Sequence, residues 1–155
     1  MGIVVKCQAG HGPSSANKET IRGLARRITE TGTIGVCPAR KGRCGAERDF
    51  YVAHKPPDKP ERTYDVVAVR QVYSAAQADD LGRDPMVFLL RDRETGEYGL
   101  WTYYWIKNRN GDWANGQFPP VFMGDEAEQL RASIDDLRRR MREKTSDSRI
   151  PKAHT

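Results

Sequence analysis

The apolar and polar positions of the chain change period several times, and each change predicts an element. Val4 and Val5 form a short apolar run that predicts a strand ending near Cys7. Ile21, Leu24 and Ile28 then recur at helical spacing, predicting a helix over 18–30 with Ser14, Ser15 or Asn17 as its N-cap. Thr33 to Cys37 predicts a second strand and Asp49 to Ala53 a third. Pro56, Pro57 and Pro60 then deny backbone donors and predict an extended connector over 56–62.

Beyond the connector the pattern is β-rich. Tyr64 to Tyr73 is dense in valine and predicts a long strand, followed by a polar loop from Ala76 to Asp84. Met86 to Arg91 and Tyr98 to Lys107 predict two further strands. Asn110-Gly111 suits a two-residue hairpin turn into a short strand over Trp113 to Phe118, which Pro119-Pro120 ends.

The last element is a helix. Asp125-Glu126 places acid at its positive end, and Arg138, Arg139, Arg140 and Arg142 place cations at its negative end. Ala127, Leu130, Ile134, Leu137 and Met141 are spaced three, four, three, four, a seam that either packs on the sheet or pairs with a second copy. The chain therefore reads as a monomer or a homodimer through this helix. Residues 144–155 show no periodicity and predict a mobile tail.

The fold class read from these elements is α+β. A basic N-terminal module with an inserted helix (1–55) is joined by the connector (56–62) to a four-stranded antiparallel meander covered by the closing helix (63–143), and the tail (144–155) follows. Strands followed by a helix is an order shared by several small nucleic-acid-binding folds, including the single-strand-binding coactivator type, though order alone does not establish function.

Composition sharpens this picture in two ways. Of the 155 residues, 37% are hydrophobic and 30% charged, so the core is modest for the length and gains from a staple. The net charge of +5 is uneven: residues 1–60 carry 11 Lys/Arg against 5 Asp/Glu, whereas 61–123 carry 7 against 9. A positive field on the N-terminal half suits phosphates or an acidic protein surface. No run is long or apolar enough to span a membrane, and the opening apolar stretch is too short for a signal peptide, which points to the cytoplasm.

The candidate chemistry lies in that basic half. All three cysteines, Cys7, Cys37 and Cys44, fall there together with His11. Zinc prefers four tetrahedral ligands drawn from thiolate and imidazole, and two short ligand pairs separated by a longer excursion allow each pair to sit on one turn. Cys7, His11, Cys37 and Cys44 are therefore candidate ligands for Zn2+, and His54 could replace His11 if the following strand folds back. The cysteines have two other readings: three unconnected buried thiols, or a reactive thiol at Cys37 or Cys44 acidified by Arg40, Lys41 and Arg43. Their odd number argues against a complete disulfide framework.

The opening Lys6-Cys7-x-x-Gly10-His11 and the closing Cys37-Pro38…Cys44-Gly45 resemble the zinc-ribbon class over the first 46 residues. That resemblance implies a structural metal held by two knuckles. One departure is plain: six residues, Pro38 to Arg43, separate the second cysteine pair, where the usual knuckle has two.

Two functions from different classes follow. In the first, Lys18, Arg22, Arg26, Arg27, Arg40, Lys41 and Arg43 contact nucleic-acid phosphates. Lys6, Arg40, Lys41 and Arg43 have a competing use, because zinc with three thiolates and one imidazole carries a formal charge of −1. In the second, Trp101, Tyr103 and Trp105, which share one strand face, anchor a protein partner, as in the adaptors or inhibitors that phages and mobile elements encode. The same aromatic face serves equally as core beneath the closing helix, or as a platform for bases. The sequence has no phosphate-binding glycine loop, metalloprotease helix motif or deaminase signature, and four protein ligands leave zinc no open position, so it reads as a non-enzyme.

Overall fold

The structure, a computed structural model, describes residues 2–12, 20–38, 44–116 and 121–149. The chain orders its elements as β1 (Gly2–Cys7), α1 (Ile21–Thr31), β2 (Arg48–His54), β3 (Arg62–Gln71), α2 (Ala75–Leu81), β4 (Arg83–Asp92), β5 (Tyr98–Lys107), β6 (Trp113–Asn115) and α3 (Asp125–Arg149). The strands form one six-stranded sheet in the order β1-β2-β3-β4-β5-β6, with every neighbouring pair antiparallel.

The sheet thus has six strands where a four-stranded meander was expected, because β1 and β2 join it. The proline-rich stretch forms the connection between β2 and β3, which pair from Tyr51↔Asp65 to His54↔Arg62. The sheet continues across it. Val5, Leu24 and Phe50 from one side of that stretch share a core with Val69, Met86, Phe88 and Leu90 from the other.

Strand alternation splits β4 between two cores. Met86, Phe88 and Leu90 face α1, while Val87 and Leu89 face α2 and α3. β5 alternates in register with it: Trp101 opposes Phe88 and Tyr103 opposes Met86 on the α1 side, and Leu100 opposes Leu89 on the α3 side. The aromatic face therefore lies on the α1 side of the sheet, and the closing helix covers the other.

α1 is capped by Thr20, whose hydroxyl accepts the Gly23 N–H at 3.0 Å, so the cap lies nearer the helix than Ser14, Ser15 or Asn17, all three outside the described residues. It buries Leu24, Ala25 and Ile28. Thr33 to Cys37 forms no strand. Gly35 turns the backbone to φ 71°, and the Ile34 and Gly35 carbonyls accept from the Arg27 and Arg48 guanidiniums instead of a ladder.

The loop expected at Ala76 to Asp84 is instead mostly α2, capped by the Ser74 hydroxyl accepting the Gln77 N–H at 3.1 Å and closed by Gly82 in the left-handed region. α3 continues to Arg149, past the expected start of the tail, and Thr145 bonds back to the Met141 carbonyl. The sequence from 144 to 149 contains no helix breaker before Pro151. Among the described residues no helix is long and apolar enough to cross a membrane.

α3 packs its seam on the sheet. Leu137 is fully buried against Ala68, Val72, Val87 and Leu89, with Leu130, Ile134 and Met141 flanking it. Leu137→Ala should cost about 3 kcal/mol, because the rigid sheet beneath cannot collapse into the cavity. Urea unfolding would read this directly. Ala substitution at its exposed neighbour Arg138 should stay within about 0.5 kcal/mol of wild type.

Candidate metal centre

The described candidate ligands converge at one end of the sheet. Cys7 is the last residue of β1, paired with Arg48 at the start of β2. The chain then turns tightly, with the Cys7 N–H donating to the His11 carbonyl and the Gly10 N–H to the Cys7 carbonyl, both at 2.9 Å. Gly10 takes φ 89° in this turn, a conformation that a side chain would disfavour.

After α1 the chain returns to the same place. The Cys37 N–H donates to the Ala46 carbonyl at 2.9 Å and the Gly45 N–H to the Cys37 carbonyl at 3.1 Å, closing the second pair, with Gly45 at φ 59°. The Gln8 N–H reaches the Glu47 carbonyl at 3.1 Å, so the two turns lie side by side.

The side chains meet accordingly. Cys7 Sγ lies 3.3 Å from His11 Nδ1 and 3.9 Å from Cys44 Sγ, and Cys37 Sγ lies 3.8 Å from His11 Nδ1. All four ligand atoms fall within 4.8 Å of one another. A tetrahedron with Zn–S of about 2.3 Å and Zn–N of about 2.0 Å has edges of roughly 3.5–3.8 Å. The cluster is geometrically compatible with a metal ion.

Cys7 and Cys37 are buried, whereas His11 and Cys44 are partly exposed, so one side of the cluster faces solvent. Burial pushes the Cys7 thiol up. Hydrogen bonds from the His11 and Ala9 backbone, with contacts to Cys37 and His11, outweigh it and bring its pKa down to about 6. One of these bonds is from the His11 N–H to Cys7 Sγ at 3.3 Å. Such bonds favour thiolate, the form a metal binds.

His54, the alternative ligand, sits at the far end of β2, opposite Arg62. Six residues of strand separate it from Arg48, about 20 Å, so it lies outside the cluster.

The cationic candidates divide. Arg22 and Arg26 turn inward, their Nε atoms donating to the same Oδ2 of Asp84 at 2.8 and 2.9 Å. Asp84 is fully buried, and the Arg22 guanidinium also stacks over the Trp113 ring at 3.8 Å. Arg27 donates to the Ile34 carbonyl at 3.1 Å and tethers the segment leading to Cys37. Lys18, Arg40, Lys41 and Arg43 lie outside the described residues.

The aromatic candidates are packed to different extents. Trp105 is core, 4% exposed, and Trp101 and Tyr103 are partly buried against it in a continuous run of ring contacts from Phe88 to Trp105. Asp84, the buried carboxylate that fixes two of the candidate cations, carried no signal in the sequence. No family model matches the chain, and no curated protein or solved structure matches it either.

Proposed function

We propose that the chain is a zinc-stabilised nucleic-acid-binding protein whose metal closes the N-terminal turns and whose phosphate contacts come from the excursion between the last two ligands. Three sulfurs and an imidazole form a donor set that selects zinc over hard cations such as magnesium or calcium. Four protein ligands complete its tetrahedron and make the centre structural, in keeping with the zinc-ribbon resemblance of residues 1–46.

One observation carries the nucleic-acid reading: Arg40, Lys41 and Arg43 fall within the six residues between Cys37 and Cys44, whose sulfurs meet at one site. A metal tying Cys37 to Cys44 would confine these three cations to one short loop of the chain, which suits contact with phosphates. Arg22 and Arg26 contribute to the field rather than to contact, since Asp84 holds them.

The test is fluorescence anisotropy of a labelled duplex between 50 and 200 mM salt, the range over which phosphate contacts are expected to lose most affinity. Replacing Arg40, Lys41 and Arg43 with Ala should weaken binding and flatten the slope of log K against log salt by about 2.7, at roughly 0.9 per phosphate lost. Binding that ignores salt, or a triple variant that binds like wild type, would refute the proposal.

A second reading, a protein-binding adaptor or inhibitor, draws on Val121 and Met123, which are 66% and 72% exposed just ahead of α3. Partner capture that survives nuclease treatment and is weakened by Met123→Ala would favour it.

A further inference from the structure

The last turns of α3 and the β4–β5 turn bound a groove of about 960 Å3. Arg91, Glu97 and Tyr98 line it from the sheet, and Met141, Arg142 and Thr145 from the helix. None of the candidate metal ligands or phosphate-contacting residues lies on it.

The fold pairs most of its arginines and leaves these two without a counter-charge. Arg62, Arg70, Arg83 and Arg93 are each held by a carboxylate distant in sequence. Arg91 and Arg142 form no ion pair among the described residues. Asp65, opposite Arg91 on β3, is taken by Arg93 at 2.7 Å, and Asp92 by Arg62. Arg91 reaches instead across the turn, where its Nη2 lies 3.6 Å from the place a Cβ on Gly96 would occupy.

Around Arg142 the helix offers no acid. The residues three and four away are Arg138, Arg139, Thr145 and Ser146, and Arg138 with Arg142 is a like-charge pair that an anion would relieve. The helix dipole does not account for Arg142, because α3 continues to Arg149, about two turns further, and the dipole acts within the last turn. Residues 150–155, which follow α3, contain no acidic side chain to neutralise either arginine.

We propose that this groove binds a nucleoside monophosphate, with the phosphate between Arg91 and Arg142. Guanidinium forks match phosphate oxygens, and the Ser146 hydroxyl on the same wall adds a donor. A bare phosphate would leave most of the groove unfilled, whereas its volume lies in the range of roughly 300–1,000 Å3 usual for small-molecule sites. Tyr98 and Met141 supply an aromatic ring and a thioether as a wall for a base. Glu97 is an acceptor, and so is Thr145, whose proton already goes to the Met141 carbonyl at 3.0 Å. The lining therefore asks for a ligand that is an anion at one end and a hydrogen-bond donor at the other. A nucleotide, with its sugar hydroxyls and base amine, is both. This site goes beyond the nucleic-acid reading above and does not rest on the metal.

Isothermal titration calorimetry of the full chain with the ribonucleoside monophosphates of adenine, guanine, cytosine and uracil tests this. At least one should bind saturably, one per chain, and its nucleoside alone and inorganic phosphate alone should each bind at least about tenfold more weakly. Arg91→Gln and Arg142→Gln should each weaken the monophosphate at least about tenfold, the loss expected for a hydrogen bond to a charged group. Both side chains are exposed, so the circular-dichroism spectrum should not change. Arg109→Gln, which removes an exposed arginine from the β5–β6 turn, should leave affinity as it is. Failure of all four monophosphates to bind would overturn the proposal. So would nucleoside or phosphate binding as tightly as the monophosphate, Arg91 and Arg142 variants that bind like wild type, or an equal loss at Arg109.

Discussion

Protein purified under reducing conditions is expected to carry one zinc ion per chain, and Cys37→Ser to lose both the ion and much of the stability. The reason lies in what else holds the N-terminal turns. Residues 8–12 and 33–38 form no helix or strand, and of their side chains Ile34 joins the main hydrophobic core. Their fixed points are a few backbone bonds, the Arg27 and Arg48 tethers to the Ile34 carbonyl, and the four converging ligands. Without metal, three thiols and an imidazole are brought together with little to stabilise them, and Cys37 is only 3% exposed.

Metal held at a thousand times its Kd stabilises the folded state by about 4 kcal/mol through mass action alone. For a chain of this size that is roughly 8–16 °C in Tm. Elemental mass spectrometry together with thermal melts of wild type, chelator-treated wild type and Cys37→Ser would measure it. His11→Ala should have a smaller effect, because His11 is partly exposed and water can take its coordination position. Chelator-treated wild type melting at the same temperature as untreated wild type would remove zinc from the account.

The candidate ligands were legible in the sequence because metal chemistry is written in residue type and spacing, and strand pairing then placed Cys7 beside the second turn. His54 stood as an alternative to His11 until the register of β1 on β2 set it a strand's length away from Cys7. β3, β5 and the start of α3 were legible because their periods are local. α2 was missed although Ser74…Gln77 has the serine and glutamine spacing of a capping box; the polar residues Gln77, Asp79 and Asp80 had suggested a loop. The strand expected at Thr33 to Cys37 failed through Gly35 and through arginines reaching in from 27 and 48. Continuity of the sheet past three prolines was hidden because proline marks a connection without saying whether the strands on either side are neighbours.

Asp84→Ala is expected to cost about 3–5 kcal/mol, the range seen when one partner of a buried charge pair is removed. Its carboxylate is fully buried and receives two guanidiniums from α1, 62 and 58 residues away in sequence. That distance explains why Arg22 and Arg26 looked like surface cations. Burial pulls Arg22 below the ordinary arginine range, Asp84 opposes that pull, and Arg26 adds to it. Removing the carboxylate leaves two like charges facing each other in a half-buried site. α1 would then lose a polar anchor to β4, and with it part of the scaffold that returns the chain to Cys37.

The network is incompletely satisfied: Asp84 Oδ1 and Arg26 Nη2 are buried without a partner among the described residues. A fully apolar replacement, Arg22→Met with Arg26→Met and Asp84→Leu, should therefore recover most of the loss, since buried ion networks often yield to well-packed apolar groups at no cost. Urea unfolding of the single and triple variants separates the cases. A loss below about 1 kcal/mol for Asp84→Ala would mean the carboxylate is not an anchor, since a buried charge left unpaired costs more than that. Charge reversal at Arg22 or Arg26 should unfold the protein before it reports on any nucleic acid. Tests of phosphate binding consequently belong at Arg40, Lys41 and Arg43.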